Sequence, residues 1–158
     1  MQEENIKNVV IENGITSVGD FAFAYCENLT SVNAGSATEL GTFAFYKSPS
    51  LSSIDVSKIV KIDTYAFGDC VSLTKLDFSK VETIGNAAFA GCTGLTAVII
   101  RSTTVPTLSD SNAFYNTNNC PIYVPDASVE AYKAASNWSA LASRIKPLSE
   151  YVEPSNEE

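Results

Sequence analysis

The sequence contains no histidine, which removes the commonest general base, proton shuttle and metal ligand. Positive charge is scarce as well: 10 lysines and arginines stand against 18 aspartates and glutamates, for a formal net charge of −8. A nucleic acid or an anionic membrane surface would find no basic patch to bind. The four cysteines, at 26, 70, 92 and 120, include no Cys-x-x-Cys pair, so a thiolate zinc site has no ready-made half. Serine is abundant, but without histidine or a Gly-x-Ser-x-Gly elbow a serine hydrolase has no support, and the recurring Ser57-Lys58 and Ser79-Lys80 pairs read as turn chemistry. No apolar run approaches the roughly 18 residues that span a bilayer, and the opening Met1-Gln2-Glu3-Glu4-Asn5 is acidic where a secretory signal is basic. These absences predict no catalytic residue, no cofactor, no metal and no membrane insertion by this chain. The chain is expected either to stay in the cytoplasm or to have had an export signal and anchor that lie outside it.

What the sequence does have is self-similarity. Phe89 has counterparts at Phe67, Phe45 and Phe23, each 22 residues earlier, and Ala88 repeats as Ala66, Ala44 and Ala22. Leu95 matches Leu73, Leu51 and Leu29; Val98 matches Leu76, Ile54 and Val32; Ile84 matches Ile62, Leu40 and Val18. A fixed period of this length is the signature of a solenoid, in which each repeat buries its apolar face on its neighbours. An apolar fraction of 45% over 158 residues supplies one continuous core.

Each turn reads as a short strand with Leu76 and Phe78, or their equivalents, pointing inward, a polar corner, and a short helical or irregular crossing that carries Ala-Phe. Stacked turns place each Phe over the next at about the 4.8 Å strand spacing, and the neighbouring alanine leaves room for that approach. Ile6, Val9 and Ile11 supply a half-repeat strand at the start. The fifth turn is irregular: Ala113-Phe114 follows Ala88-Phe89 by 25 residues, and the asparagine-rich loop 116–119 absorbs the difference. From Asp126 the spacing of Val129, Tyr132, Trp138, Leu141 and Ile145 becomes mostly helical. Asp126 or Ser128 can cap this segment, Asn137-Trp138-Ser139 breaks it in two, and Pro147 ends it. The predicted organisation is a disordered start at 1–5, a solenoid at 6–125, a C-terminal helical cap at 126–148 and an acidic tail at 149–158.

The pattern I-x-x-I-G-x-x-A-F-x-x-C-x-x-L-x-x-V in residues 81–98, with relatives at 59–76 and 15–32, resembles the BspA-type leucine-rich repeat family. The closing Ile122-Tyr123-Val124-Pro125, with Tyr132, Trp138 and Ile145-Lys146-Pro147, is similar to the end of many such proteins. The resemblance implies an α/β repeat solenoid, a right-handed leucine-rich-repeat coil of about five 22-residue turns with a parallel sheet on one face and a short helical cap. It also implies a non-enzymatic module at a bacterial cell surface or secreted, in some members an adhesin for host matrix proteins or other cells.

Recognition is expected on the exposed strand face, where Ser53, Asp55, Lys75, Asp77, Ile99 and Arg101 are the candidate ligand-binding residues. Asp55 and Asp77 would lie about one strand spacing apart, too short of further carboxylates for calcium. Arg101 is the one anchor-type residue among the six. The phenylalanine column reads as packing. Cys26, Cys70 and Cys92, with Ser48 at the same position of the second turn, read as small buried groups at the coil corner; parallel Cβ vectors disfavour a disulfide between Cys70 and Cys92. The expected protein is a monomer that binds a protein or glycan, possibly of the host extracellular matrix, or else a spacer with no ligand of its own. Exposed aromatics at the corners, such as Tyr25 and Tyr46, would favour binding.

Overall fold

The computed structural model describes residues 5–154. Of the predicted disordered start, all but Asn5 lies outside the described residues. The strands, in chain order, are β1 (Asn8–Val10), β2 (Ser17–Val18), β3 (Ser31–Asn33), β4 (Glu39–Leu40), β5 (Ser53–Ile54), β6 (Lys61–Ile62), β7 (Lys75–Phe78), β8 (Thr83–Ile84), β9 (Ala97–Ile100), β10 (Thr107–Leu108), β11 (Ile122–Val124) and β12 (Ile145–Pro147). One helix, α1 (Val129–Ala134), and several 3₁₀ turns complete the chain.

All the strand pairs are parallel, and the register steps by one repeat. Leu76 pairs with Val98, which pairs with Ile122, while Leu40 pairs with Ile62 and Ile62 with Ile84. The odd-numbered strands form a three-stranded ladder (β1-β3-β5) and a four-stranded one that β12 closes (β12-β11-β9-β7); the even-numbered strands from β2 to β10 form a second, five-stranded ladder. The coil therefore carries strands on two of its sides, where one was expected. Ile62 and Ile84, read as the entry to the crossing, each pair in the second ladder before the Ala-Phe turn begins. That turn is not helical in the first four repeats. It is built from two residues of positive φ per turn: Phe21 and Tyr25, Phe43 and Lys47, Tyr65 and Asp69, then Ala87 and Gly91.

The core is the predicted one. Leu40, Phe45, Leu51, Phe67, Leu73, Ile84, Phe89 and Val98 are fully buried. The rings of Phe23, Phe45, Phe67, Phe89 and Phe114 stack with centroids 5.6, 5.5, 5.7 and 5.1 Å apart. Between them, Ala44, Ala66, Ala88 and Ala113 have no exposed surface.

The C-terminal segment closes the column. Trp138 packs against Phe114 and, edge-on, against Tyr132. The Trp138 indole N–H donates to the Pro106 carbonyl at 2.8 Å, and the Tyr132 hydroxyl donates to that of Ser102 at 2.6 Å. Arg144 donates to the carbonyl of Cys120 and the hydroxyl of Thr117. These donors satisfy last-turn groups that have no following repeat to pair with. Asn137, at φ 68°, makes the expected break. Neither proposed cap acts as one: Asp126 accepts instead from the Ser149 N–H, and Ser128 donates to the Thr103 carbonyl. The helical part stops at Arg144, and Ile145–Pro147 forms β12, paired with β11 and ending at Pro147.

Candidate functional site

Five of the six strand-face candidates are paired with, or buried by, other parts of the chain. Ser53 is exposed and pairs in register with Ser31. Asp55 turns back on its own chain and accepts from the Ser57 N–H at 2.9 Å, which lowers its pKa. Asp77 holds Arg101 in a two-pronged pair, 2.8 and 2.9 Å, so the two aspartates have separate partners and share nothing. Lys75 pairs with Glu153 at 2.9 Å and lies over the Tyr151 ring. Ile99, expected to be exposed, is fully buried. The reason is the segment read as a tail. Leu148–Glu150 forms a 3₁₀ turn, Tyr151 packs edge-on against Tyr123 at 5.1 Å, and Tyr123 is the strand partner of Ile99. The chain's own end thus occupies the outer face of the four-stranded ladder. Among the described residues, no group of three cysteines, aspartates or glutamates is placed to hold a metal ion.

The aromatic residues outside the core gather elsewhere, on the crossing turns. Phe21, Phe43 and Tyr65 occupy the same positive-φ position of successive repeats. Their rings form a second column, with centroids 4.8 and 5.2 Å apart and planes within 13° of parallel. Left-handed backbone at a bulky residue costs about 1–3 kcal/mol, and it turns these side chains away from the core column two residues further on. Tyr46 stands edge-on to Phe43, Tyr65 and Tyr25 at 4.9, 5.8 and 5.7 Å, with the Lys47 ammonium 5.4 Å from its own ring centre. Gly68 makes this closeness possible, because a Cβ there would come within 2.8 Å of the Tyr46 ring and 2.9 Å of the Tyr65 ring. Phe21 and Tyr25 remain 55% and 56% exposed, so the ridge reaches solvent at the corner where the sequence placed Tyr25 and Tyr46.

The column stops at Tyr65. The next two residues in its register are Ala87 and Asn112, and beside them lies a notch of about 210 Å³ lined by Tyr65, Asn86, Ala87, Ala90, Asn112 and Tyr115. Tyr115 is 67% exposed. Tyr25 and Tyr46 were singled out in the sequence, but Phe21, Phe43 and Tyr65 went unread although they share the 22-residue period.

The BspA-type leucine-rich repeat model matches residues 1–133, in six copies. The chain belongs to this family. Two solved structures have the same fold: a leucine-rich repeat protein of T. pallidum (TM-score 0.69, 24% identity, covering 77% of this chain and 60% of that one) and a leucine-rich cell surface protein of Faecalibacterium prausnitzii (TM-score 0.57, 21% identity, 83% and 41%). The chain therefore spans 60% and 41% of their lengths. No curated protein sequence matches significantly. In a BspA-type repeat the core positions recur by necessity, since they stack. Phe21, Phe43, Tyr65 and Ala87 share one outward position, and that position changes along the chain.

Proposed function

We propose that this protein is a non-catalytic recognition module, displayed at a cell surface or secreted, whose ligand docks on the aromatic ridge of the crossing turns. The observation that carries the reading is the exposure of Phe21 and Tyr25 at the end of a stacked column of rings. A contiguous aromatic patch on a folded surface marks an interaction site, and tyrosine is among the residues that dominate interface energetics. The leucine-rich-repeat scaffold supplies rigidity, so the ridge is preorganised and little entropy is lost on binding. The surface location rests on the family and on the printed description of the F. prausnitzii relative. No helix among the described residues is long and apolar enough to cross a membrane.

The test is binding of the purified chain to extracellular matrix proteins and mucosal glycans at low and high salt, beside a Phe21→Ser/Tyr25→Ser variant. Both side chains are more than half exposed, so the fold is expected to persist. Saturable binding that survives salt and falls about tenfold or more in the variant is the expected result. Binding that the variant leaves unchanged would place the site elsewhere. Silence across the panel from the folded chain would favour a spacer.

A further inference from the structure

The second aromatic column has a missing rung. Phe21, Phe43 and Tyr65 stack face to face at 4.8 and 5.2 Å, so Phe43 has both faces covered, whereas the far face of Tyr65 meets no other ring among the described residues. The next residue in register is Ala87, which is 4% exposed, and the one after is Asn112; Tyr65 and Asn112 are two turns apart, about 10 Å. Ala87 has φ 56°, against 59°, 58° and 54° at Phe21, Phe43 and Tyr65. The backbone therefore continues the column, and only the ring is absent.

Three features select what can fill the notch. Its base, the nearly buried Ala87 and the half-buried Ala90, is narrow and apolar. Its edges are polar but uncharged: the carboxamides of Asn86 and Asn112 and the hydroxyls of Tyr65 and Tyr115 line it and make no hydrogen bond to other described residues. An aromatic side chain of a peptide would satisfy the Tyr65 face and leave these amides without partners, which is costly when they are desolvated. A nucleobase would bring phosphates toward a chain of net charge −8. A pyranose offers a C–H face to the tyrosine ring and a rim of hydroxyls that both donate to and accept from carboxamides.

Building on the ridge as the recognition surface, we propose that the notch between Tyr65 and Tyr115 is a sugar subsite that takes one neutral pyranose ring as the fourth rung of the column. Carboxylated or sulfated sugars are disfavoured, because no cationic side chain lines the notch.

The chain supplies its own blocking variant. Ala87→Phe puts a ring where three preceding repeats carry one, in a backbone conformation they already adopt. The probes are the methyl glycosides of glucose, galactose, mannose and N-acetylglucosamine, added at millimolar concentration to the ¹⁵N-labelled chain and followed by amide chemical-shift changes. At least one glycoside should shift the amides of residues 86–90 and 112–115 saturably, and Ala87→Phe, in a chain shown by its spectrum to be folded, should weaken that binding by about tenfold or more. Asn86→Ala/Asn112→Ala is the second arm: these exposed carboxamides support no described contact, so weakened binding with an unchanged spectrum elsewhere reports lost recognition. No shift with any glycoside, or shifts that persist in both variants, overturns the subsite. If macromolecular binding is lost in Phe21→Ser/Tyr25→Ser while no glycoside binds, the ridge stands and the sugar assignment falls. If glycosides bind at the notch and that variant leaves macromolecular binding intact, the ridge reading fails by itself.

Discussion

One side chain per turn ties the crossing to the core. The Ser48 hydroxyl donates to the Phe23 carbonyl at 2.8 Å, the Cys70 thiol to that of Phe45 at 3.0 Å and the Cys92 thiol to that of Phe67 at 2.9 Å. All four cysteines are buried, and none is in a disulfide. Cys70→Ser is expected to be nearly neutral, since Ser48 already performs the task, while Cys70→Ala strands a buried carbonyl and costs about 1–3 kcal/mol. Burial raises the Cys70 pKa from 9.0 to about 12 and pushes Cys92 up for the same reason. A thiol that is harder to ionise folded than unfolded stabilises the native state fully below the unfolded pKa, and that stability is lost as the pH rises from about 9 through 12. Each such thiol contributes a slope of about 1.4 kcal/mol per pH unit in that window. Urea midpoints from pH 8 to 10 should therefore fall less steeply for Cys70→Ser than for the natural chain, and identical slopes would disprove the assignment. The role of these positions was legible in the sequence because a serine stands among the cysteines, and hydrogen bonding is the chemistry they share.

The stacked phenylalanines are the element on which the turns depend, and position within the column sets the cost of losing one. Phe67 is fully buried between Phe45 and Phe89, at 5.5 and 5.7 Å, so Phe67→Ala should cost about 3–5 kcal/mol. Phe23 is only partly buried and meets one ring of the column; Phe23→Ala should cost visibly less. Chemical denaturation of both variants checks the order, and equal losses would mean that the column does not act as a stack. This column could be read from the sequence because its period is the fold's own. The second column shares that period and was still missed, for a stereochemical reason. Residues two apart in a regular strand point the same way, so Phe21 and Phe23 look equivalent on paper. Positive φ at Phe21 and Tyr25 breaks the pleat between them, and nothing in phenylalanine or tyrosine announces a left-handed backbone.

At the scale of the molecule the two ends differ. The last coil is covered by Tyr132 and Trp138 and tied by Arg144, and the outer face of β7, β9 and β11 lies under residues 148–153. That covering joins Tyr151 to Tyr123, 28 positions back, and Glu153 to Lys75, 78 positions back, and follows no period, so the sequence offered no sign that Ile99 would be buried. Its ion pair, Lys75 with Glu153, is 35% and 68% exposed and adds at most about 1 kcal/mol; the packing of Tyr151 on Tyr123 holds the segment. Among the described residues the first coil has no such cover: Val10, Ile15 and Phe21 are 71%, 48% and 55% exposed. In a solenoid each turn contacts its neighbours alone, so stability is a sum of local terms and opening starts where they are fewest. Amide hydrogen exchange should accordingly be graded, fastest in β1 and β2, slower through β5 and β6, and slowest in β7 and β9, which have a paired strand and a packed segment above them. Uniform protection from β1 to β9 would show instead that the coil opens as one cooperative unit, with the exposed apolar residues of the first turn costing it nothing.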